Sequence, residues 1–191
     1  YFALEEDLRV VAEAVSGEEA YELLGRTDVD ILLLDLSMPG QGGFETLRRM
    51  TMRYPKQKVL ALTMHDNPSI ARQALQLGAC GYLTKRMDPA LIVKAIRDAW
   101  RGHTPLDEAV ETALLAHADN EQAHDRLLPR EFEIFLLLAS DQSVDAIAQR
   151  LSMSTRTVHN YQAIVRRKMG LRSQIELREY ALQHALIHDV W

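Results

Sequence analysis

Hydrophobic positions in the first half of the chain alternate between two patterns. Short apolar runs, which are typical of buried strands, occur at residues 8–12, 31–34, 58–64 and 81–84. Between them, apolar residues recur at helical spacing, and the predicted helices cover residues 16–26, 43–53, 68–78 and 88–101. Strands and helices that alternate in this way indicate a parallel sheet with helices on both faces. We therefore expect a doubly wound α/β domain at residues 1–101.

The second half follows a helical pattern throughout. Residues 102–127 are polar and acidic, and we interpret them as a linker that is partly helical around residues 107–117. Beyond the linker, the predicted helices cover residues 129–139, 144–151, 155–169 and 173–187. We therefore expect a small all-α domain at residues 128–191.

Local signals define several helix ends. Ser16 and Glu19 have the S-x-x-E spacing of a capping box, and Ser173 and Glu176 repeat it. Gly170 follows an apolar-periodic segment at a position where glycine commonly ends a helix. These signals predict two helix starts and one helix stop.

The composition is that of a globular protein and excludes some classes. Of the 191 residues, 47% are hydrophobic and 26% are charged, and no apolar run is long enough to cross a bilayer. The single cysteine, Cys80, excludes an intramolecular disulfide and fits a reducing compartment. We therefore expect a cytoplasmic protein without a membrane partner.

Charge is distributed unevenly, and this changes the interpretation of the net charge of −5. Residues 1–127 contain 14 Lys/Arg and 20 Asp/Glu, a balance of −6, whereas residues 128–191 contain 8 and 7, a balance of +1. The stretch 150–172 has six basic and no acidic residues. Because local charge determines the field that a phosphate backbone meets, this stretch favours a nucleic-acid surface.

The helices at 144–151 and 155–169 are joined by a three-residue turn, as in a helix-turn-helix. One face of the second helix presents three polar residues and a small one at helical spacing, which suits a helix that contacts base edges in a major groove: Arg156, His159, Asn160 and Ala163. Neighbouring residues are candidates for phosphate contacts: Ser154, Thr157, Arg166, Arg167 and Lys168. The alternative is a helical bundle whose basic residues only solvate one face.

This C-terminal segment resembles the LuxR-type helix-turn-helix domain of NarL/FixJ response regulators over about sixty residues. The matching residues are Leu128-Pro129-Arg130-Glu131, Ile147-Ala148, Leu151, Ser154, Thr157-Val158 and Lys168-Met169-Gly170. Tyr161 departs from the pattern, because the family more often has histidine there. The resemblance implies a regulator of transcription that binds double-stranded DNA, and RNA polymerase is a further candidate partner. A homodimer is a separate hypothesis, because the last predicted helix carries apolar residues that a second copy could contact: Ile175, Leu177, Tyr180, Ala181, Leu182 and Leu186. Packing of this set on the helix-turn-helix core is the alternative.

Three reactive side chains end predicted strands in the first half. Because the carboxyl ends of parallel strands share one edge of a sheet, Asp35, Thr63 and Lys85 can converge. Asp35 can act as a carboxylate nucleophile, Lys85 can supply positive charge to phosphoryl oxygens, and the Thr63 hydroxyl can donate a hydrogen bond. Taken singly, Asp35 could instead cap a loop and Lys85 could be a solvated charge.

The first half also resembles a response-regulator receiver domain. The matching residues are Asp35-Leu36-Ser37-Met38-Pro39, Gly43, Thr63, Gly81-Tyr82-Leu83-Thr84-Lys85 and Pro89. The resemblance implies that Asp35 accepts a phosphoryl group from a sensor histidine kinase, with Mg²⁺ bound by Asp35 and the Ser37 carbonyl. It also implies that Thr63 and Tyr82 form the switch that reports phosphorylation.

The start of the sequence departs from the receiver pattern, which opens with a strand and an acidic pair that binds Mg²⁺. Tyr1–Leu4 resembles the later part of the first receiver helix, so we expect a fragment, a deletion or unrecorded upstream residues. The runner-up function is a phosphorylation-independent DNA-binding regulator whose degenerate receiver is an interaction module. An aspartate-nucleophile phosphatase is disfavoured because Ser37 stands where its second acid is usual. We therefore expect a non-enzymatic regulator.

Overall fold

The computed structural model describes residues 5–36, 42–64, 66–116 and 122–187. Its strands are β1 (Ile31–Asp35), β2 (Lys58–Thr63) and β3 (Gly81–Thr84). The helices of the first part are α1 (Gly17–Leu24), α2 (Gly43–Arg53), α3 (Pro68–Gln76), α4 (Pro89–Trp100) and α5 (Glu108–Ala116). A 3₁₀ turn at Ala123–Arg126 precedes α6 (Pro129–Ala139), α7 (Val144–Arg150), α8 (Thr155–Met169) and α9 (Gln174–Gln183). Among these described segments, no helix has the length and hydrophobicity that a bilayer crossing requires.

The strands form a parallel sheet in the order β1-β2-β3. Side chains of β2 alternate between its faces: Val59 and Ala61 join a core with α2 and α3, whereas Leu60 packs with α4. Helices therefore cover both faces, which confirms the predicted α/β fold. The register places Asp35 opposite Leu62, so β1 and β2 end near each other at the carboxyl edge.

The predicted strand at Leu8–Ala12 is wrong, because the structure shows no regular element at residues 8–14. Val10 and Val11 are about half exposed there. An apolar run becomes a strand only when its backbone groups pair with a neighbouring strand, and within the described residues β1 pairs with β2 alone. The preceding residues are held instead by ion pairs, in which Arg97 of α4 contacts Glu5 at 2.8 Å and Asp7 at 2.6 Å.

The segment predicted as a linker begins with contacts to the sheet. The backbone N–H of Tyr82 donates to the Pro105 carbonyl, and the N–H of Asp107 donates to the Tyr82 carbonyl, each at 3.0 Å. The Thr84 hydroxyl adds a 2.6 Å hydrogen bond to the Asp107 carboxylate. Helix α5, which lies where partial helicity was expected, packs against α3. Residues 105–116 thus extend the α/β layer beside β3.

The helices of the second half have the predicted ends in most places. The Ser173 Oγ accepts from the Glu176 N–H, which confirms Ser173 as the N-cap of α9, and the Glu176 carboxylate accepts from the Arg172 N–H. Gly170 ends α8 with φ +69°, a left-handed conformation that glycine adopts without steric cost. The predicted extension of the last helix to residue 187 is wrong, because α9 ends at Gln183 and Ala185 has φ +50°.

The two halves of the molecule share one continuous hydrophobic core. The ring of Phe44 in α2 meets that of Phe132 in α6 edge-on, with 6.1 Å between ring centroids. Gly42, which begins α2 with φ +88°, approaches the Glu133 carboxylate so closely that a Cβ would lie 1.7 Å from Oε1. Helix α6 also packs against α8 and α9, so it connects the α/β layer to the helix-turn-helix.

Candidate phosphorylation site and nucleic-acid interface

Asp35 and Lys85 meet at the carboxyl edge of the sheet. Asp35 is the last residue of β1, and the Lys85 side chain follows β3 and places its Nζ 2.5 Å from Asp35 Oδ2. About a quarter of the Asp35 side chain and a third of the Lys85 side chain are exposed. The site therefore presents a carboxylate and a cation together, both partly exposed to solvent.

Thr63, at the end of β2, and Tyr82, in β3, are fully buried. Burial raises the pKa of the Tyr82 hydroxyl, and a side-chain hydrogen bond with Thr63 opposes that rise. The Thr63 carbonyl accepts a 2.7 Å hydrogen bond from the Lys85 backbone N–H. The structure therefore brings together the four predicted residues, Asp35, Thr63, Tyr82 and Lys85, through direct contacts.

The predicted reading face of α8 is open to solvent. Arg156, His159, Asn160 and Ala163 are exposed, and Arg167 continues the same face toward the end of the helix. The opposite face of α8 buries Val158, Val165 and Met169 in the core. This division leaves a polar, partly basic ridge of about three turns available to a ligand.

Both halves match known families. A model of the response regulator receiver domain matches residues 1–97, and a model of bacterial regulatory proteins of the luxR family matches residues 125–181. The chain is a two-component response regulator with a LuxR-type DNA-binding domain. We refer to it below as the regulator, to its sheet-containing half as the receiver and to residues 128–187 as the DNA-binding domain.

Curated relatives are similar over nearly the whole chain. The transcriptional activator protein ExaE of Pseudomonas putida is 35% identical over 182 residues, which cover 93% of the regulator and 85% of ExaE. The response regulator UvrY of Escherichia coli K12 is 33% identical, with 94% and 84% covered.

Solved structures of RcsB from Salmonella are similar in fold. RcsB of Salmonella enterica serovar Typhimurium bound to the promoter rprA, with the phosphomimetic BeF₃⁻, has a TM-score of 0.72 at 27% identity, and 94% of the regulator and 88% of that chain are covered. A structure of two RcsB dimers bound to two parallel DNAs has a TM-score of 0.58 at 27% identity, with 95% and 88% covered.

The described residues only partly fit a magnesium site. Asp35 offers a carboxylate oxygen, the ligand type that Mg²⁺ prefers. Within the described ranges, however, no group of three or more His, Cys, Asp or Glu side chains could hold a metal ion. Ser37, whose carbonyl was the other predicted ligand, lies outside the described residues. The oxygen ligands among the described residues are therefore too few for a complete Mg²⁺ site.

Two predicted phosphate contacts, Ser154 and Thr157, form the start of α8. The Ser154 Oγ accepts a 3.1 Å hydrogen bond from the Thr157 N–H and lies 2.8 Å from the Thr157 hydroxyl. These contacts make Ser154 the N-cap of α8. Its hydroxyl is thus already used for helix initiation.

Lys168 and Arg166, two more predicted phosphate contacts, are half-buried. The Lys168 Nζ lies 2.7 Å from Glu131 Oε2, and the Glu131 side chain is 7% exposed. The same carboxylate oxygen accepts the Leu128 N–H at the start of α6. Lys168 therefore ties α8 to α6 within the DNA-binding domain.

The sequence analysis missed a group of polar residues between the receiver and the DNA-binding domain. They are Asn67, Ser69, His124, Glu133 and Tyr180. Asn67 had a visible local signal, because an Asn-Pro pair before a helical run is typical of an N-cap. The others could not be found from local sequence, because the His124–Ser69 and His124–Tyr180 contacts join residues 55 and 56 positions apart.

Proposed function

We propose that Asp35 accepts a phosphoryl group from a sensor histidine kinase and that this modification controls DNA binding by α8. The contact between Lys85 Nζ and Asp35 Oδ2 supports the proposal most directly, because it places a cation where phosphoryl oxygens would need one. In the transfer, an Asp35 carboxylate oxygen attacks phosphorus. The bond from phosphorus to the donor imidazole nitrogen breaks, and its electron pair leaves with that nitrogen.

Mg²⁺ at Asp35 is part of the proposal by resemblance to receiver domains. The ion would neutralise phosphoryl charge, and Asp35 would be one of its ligands. The protein's own residues have separate tasks. Lys85 neutralises charge on the phosphoryl oxygens, and the buried Thr63 and Tyr82 hydroxyls respond when Lys85 moves. The division of the chain into residues 1–101, 102–127 and 128–191 also remains a proposal, and the Tyr82–Leu106 pairing favours counting 105–116 with the receiver.

The phosphorylation proposal is tested with the full chain and a small phosphodonor such as acetyl phosphate. We expect one phosphoryl group per chain by intact mass, none in Asp35→Asn, and full labelling in the control Asp98→Asn, which changes a carboxylate on α4 far from the site. Labelling should fall when EDTA removes divalent metal. Labelling of Asp35→Asn equal to that of the unmodified chain would contradict the proposal.

We further propose that the regulator binds operator DNA in the cytoplasm as a homodimer and acts on RNA polymerase rather than as an enzyme. The proposed base contacts are Arg156, His159, Asn160 and Ala163. The proposed phosphate contacts are Ser154, Thr157, Arg166, Arg167 and Lys168. The exposed ridge of α8 supports this proposal, as do the RcsB–DNA complexes of the same fold.

The alternative is a regulator that binds DNA regardless of phosphorylation and uses its receiver only to contact other proteins. DNA titrations with and without beryllofluoride distinguish the two. A change in affinity that Asp35→Asn abolishes supports phosphorylation control. Equal affinity in both conditions, with binding still specific for the operator, supports the alternative.

A further inference from the structure

Asn67 joins the receiver to the DNA-binding domain through both ends of its side-chain amide. Its Oδ1 accepts a 2.8 Å hydrogen bond from the Ser69 N–H and so caps the start of α3. Its Nδ2 donates to the carbonyls of His184 and Ala185, at 2.9 and 3.3 Å. These carbonyls lie just beyond α9, and Asn67 is 8% exposed. One side chain thus satisfies backbone groups of two helices from different domains.

The next residues of α3 add further polar contacts across the same boundary. The Ser69 hydroxyl lies 2.8 Å from Nε2 of His124, whose Nδ1 lies 2.9 Å from the Tyr180 hydroxyl of α9. Gln73 donates to the Leu127 carbonyl at 3.0 Å, and Arg72 forms an ion pair with Asp125 at 3.0 Å. The first two turns of α3 therefore bind the residues that lead into the DNA-binding domain, and His124 continues these contacts to Tyr180 of α9.

Asn67 is also close in sequence to the phosphorylation site. Thr63 ends β2 only four residues earlier, so roughly 14 Å of chain at most separates their Cα atoms. The Thr63 carbonyl binds the Lys85 N–H, and the Lys85 side chain contacts Asp35. A phosphoryl group on Asp35 would compete for the Lys85 ammonium. The next residue, Arg86, donates to the Met64 carbonyl at 3.0 Å and pairs with the Asp66 carboxylate at 3.3 Å, so a displacement of Lys85 acts on the residue that precedes Asn67.

We propose that Asn67 is the coupling residue of the regulator: its amide transmits the state of Asp35 to the DNA-binding domain by making or releasing the hydrogen bonds to the end of α9. The proposal rests on the phosphorylation proposed above. It concerns a different step, however, because phosphorylation of Asp35 itself does not require Asn67.

The test separates capping from bridging. Serine and aspartate are as good as asparagine at an N-cap, so Asn67→Ser and Asn67→Asp keep the cap on α3. Neither keeps the bonds to the His184 and Ala185 carbonyls, because an ionised aspartate has no donor and the serine hydroxyl ends one atom short of the position of Nδ2. The matched control is Asp88→Ser, because Asp88 caps α4 with the same geometry as Asn67 caps α3, its carboxylate accepting a 2.8 Å hydrogen bond from the Ala90 N–H. Each full-length variant is checked for folding by circular dichroism and for phosphoryl uptake by intact mass.

Two measurements are made on each variant. The first is the ratio of operator affinities with and without beryllofluoride. The second is amide hydrogen exchange at His184–Leu186. We expect both Asn67 variants to bring the ratio of operator affinities to within about twofold of one. We also expect them to speed exchange about five- to tenfold, which is the effect of losing about one net hydrogen bond. Asp88→Ser should match the unmodified regulator in both.

The outcomes distinguish this proposal from the earlier one. A folded Asn67 variant that keeps the unmodified ratio overturns the coupling role. An unmodified regulator with a ratio of one contradicts phosphorylation control itself. Unchanged exchange at His184–Leu186 in both Asn67 variants shows that the amide does not hold α9 and also overturns the coupling role.

Discussion

Two buried titratable side chains lie where the receiver meets the DNA-binding domain. Burial lowers the pKa of His124 to about 4, while Asp125 raises it and His184 and Arg72 lower it further. Burial raises the pKa of Glu133 to about 7, although the Arg130 guanidinium 2.6 Å away opposes this. Burial disfavours the charged form of each group, so protonation affects stability with opposite signs at the two positions.

The pH dependence of stability should reveal these signs. The pKa of His124 is lower in the folded protein than its ordinary value of 6.5, so the unfolded protein binds the proton more tightly. The stability that neutral His124 contributes is therefore lost as pH falls from 6.5 toward 4. Glu133 binds its proton more tightly in the folded than in the unfolded protein. Its contribution to the free energy of unfolding therefore grows as pH falls from about 7 toward 4.5. We expect His124→Gln to reduce acid sensitivity and Glu133→Gln to increase it, in melting temperatures measured from pH 7.5 to 5.

The control for this series is His103→Gln, because His103 is exposed and lies away from the domain boundary. Its melting temperatures should follow those of the unmodified regulator at every pH. Parallel curves for His124→Gln and the unmodified regulator would show that His124 is not held neutral by its surroundings.

Lys168 illustrates how a residue predicted for one task can be engaged in another. Its position after Arg166 and Arg167 indicated a phosphate contact, yet its ammonium lies 2.7 Å from the Glu131 carboxylate. That carboxylate is almost fully buried. Removing the cation would leave a buried negative charge with one backbone N–H as its described partner, which is costly.

We therefore expect Lys168→Met to lower the free energy of unfolding by roughly 1–3 kcal/mol, measured in urea. Glu131→Gln together with Lys168→Met should cost less than the sum of the single changes. Arg167→Met, on the exposed face of α8, should leave stability unchanged. If Lys168→Met is as stable as the unmodified regulator but binds all DNA more weakly, Lys168 serves phosphate binding and the ion pair is incidental.

Secondary-structure elements with strong local signals could be predicted from the sequence. The runs at 58–64 and 81–84 became β2 and β3, because buried parallel strands are continuously apolar. Ser16 accepts the Glu19 N–H at 3.2 Å at the start of α1, as its capping box predicted. The convergence of Asp35, Thr63 and Lys85 was also predictable, since it follows from strand order alone.

Features that depend on distant partners could not be predicted in this way. Leu8–Ala12 is as apolar as β1, but its backbone pairs with no described strand. Residues 105–107 have no strand signal, yet they pair with Tyr82 because the edge of β3 offers unpaired backbone groups. The contact between Asn67 and His184 joins positions 117 residues apart, and no local pattern encodes it.

Helix α8 gives a direct test of base reading against phosphate binding. We expect Asn160→Ala and Arg156→Ala to lose about 1–3 kcal/mol on operator DNA and little on scrambled DNA, because base-edge contacts discriminate sequence. Arg167→Ala should weaken both DNAs alike and reduce the slope of affinity against salt by roughly one unit. Fluorescence anisotropy at several salt concentrations measures both.

The control for α8 is Gln183→Ala, an exposed position on α9 that should change neither affinity nor slope. Equal losses on operator and scrambled DNA for Asn160→Ala and Arg156→Ala would mean that this face of α8 does not read bases.

At the scale of the whole molecule, the shared core limits which surfaces remain for a second copy. Most apolar residues of α9 are already used: Leu177 and Ala181 are buried, and Tyr180 packs against His124. Ile175 is the exception among the apolar α9 residues that the structure describes, with 69% of its surface exposed. A dimer formed through α9 would therefore centre on Ile175, and a two-fold axis there would place it against its own copy.

We expect Ile175→Glu to abolish dimer formation, because each copy would bring a charge into the apolar contact of the other. The regulator should then lose about tenfold or more in affinity for DNA with two half-sites one helical turn apart, while affinity for a single half-site stays unchanged. Leu115→Glu, which charges an equally exposed apolar position on α5, is the control and should dimerise normally. Sedimentation equilibrium with and without DNA measures both variants. A dimer of unchanged strength in Ile175→Glu would place the contact between copies elsewhere, and equal loss on one and two half-sites would show that Ile175 acts within the monomer.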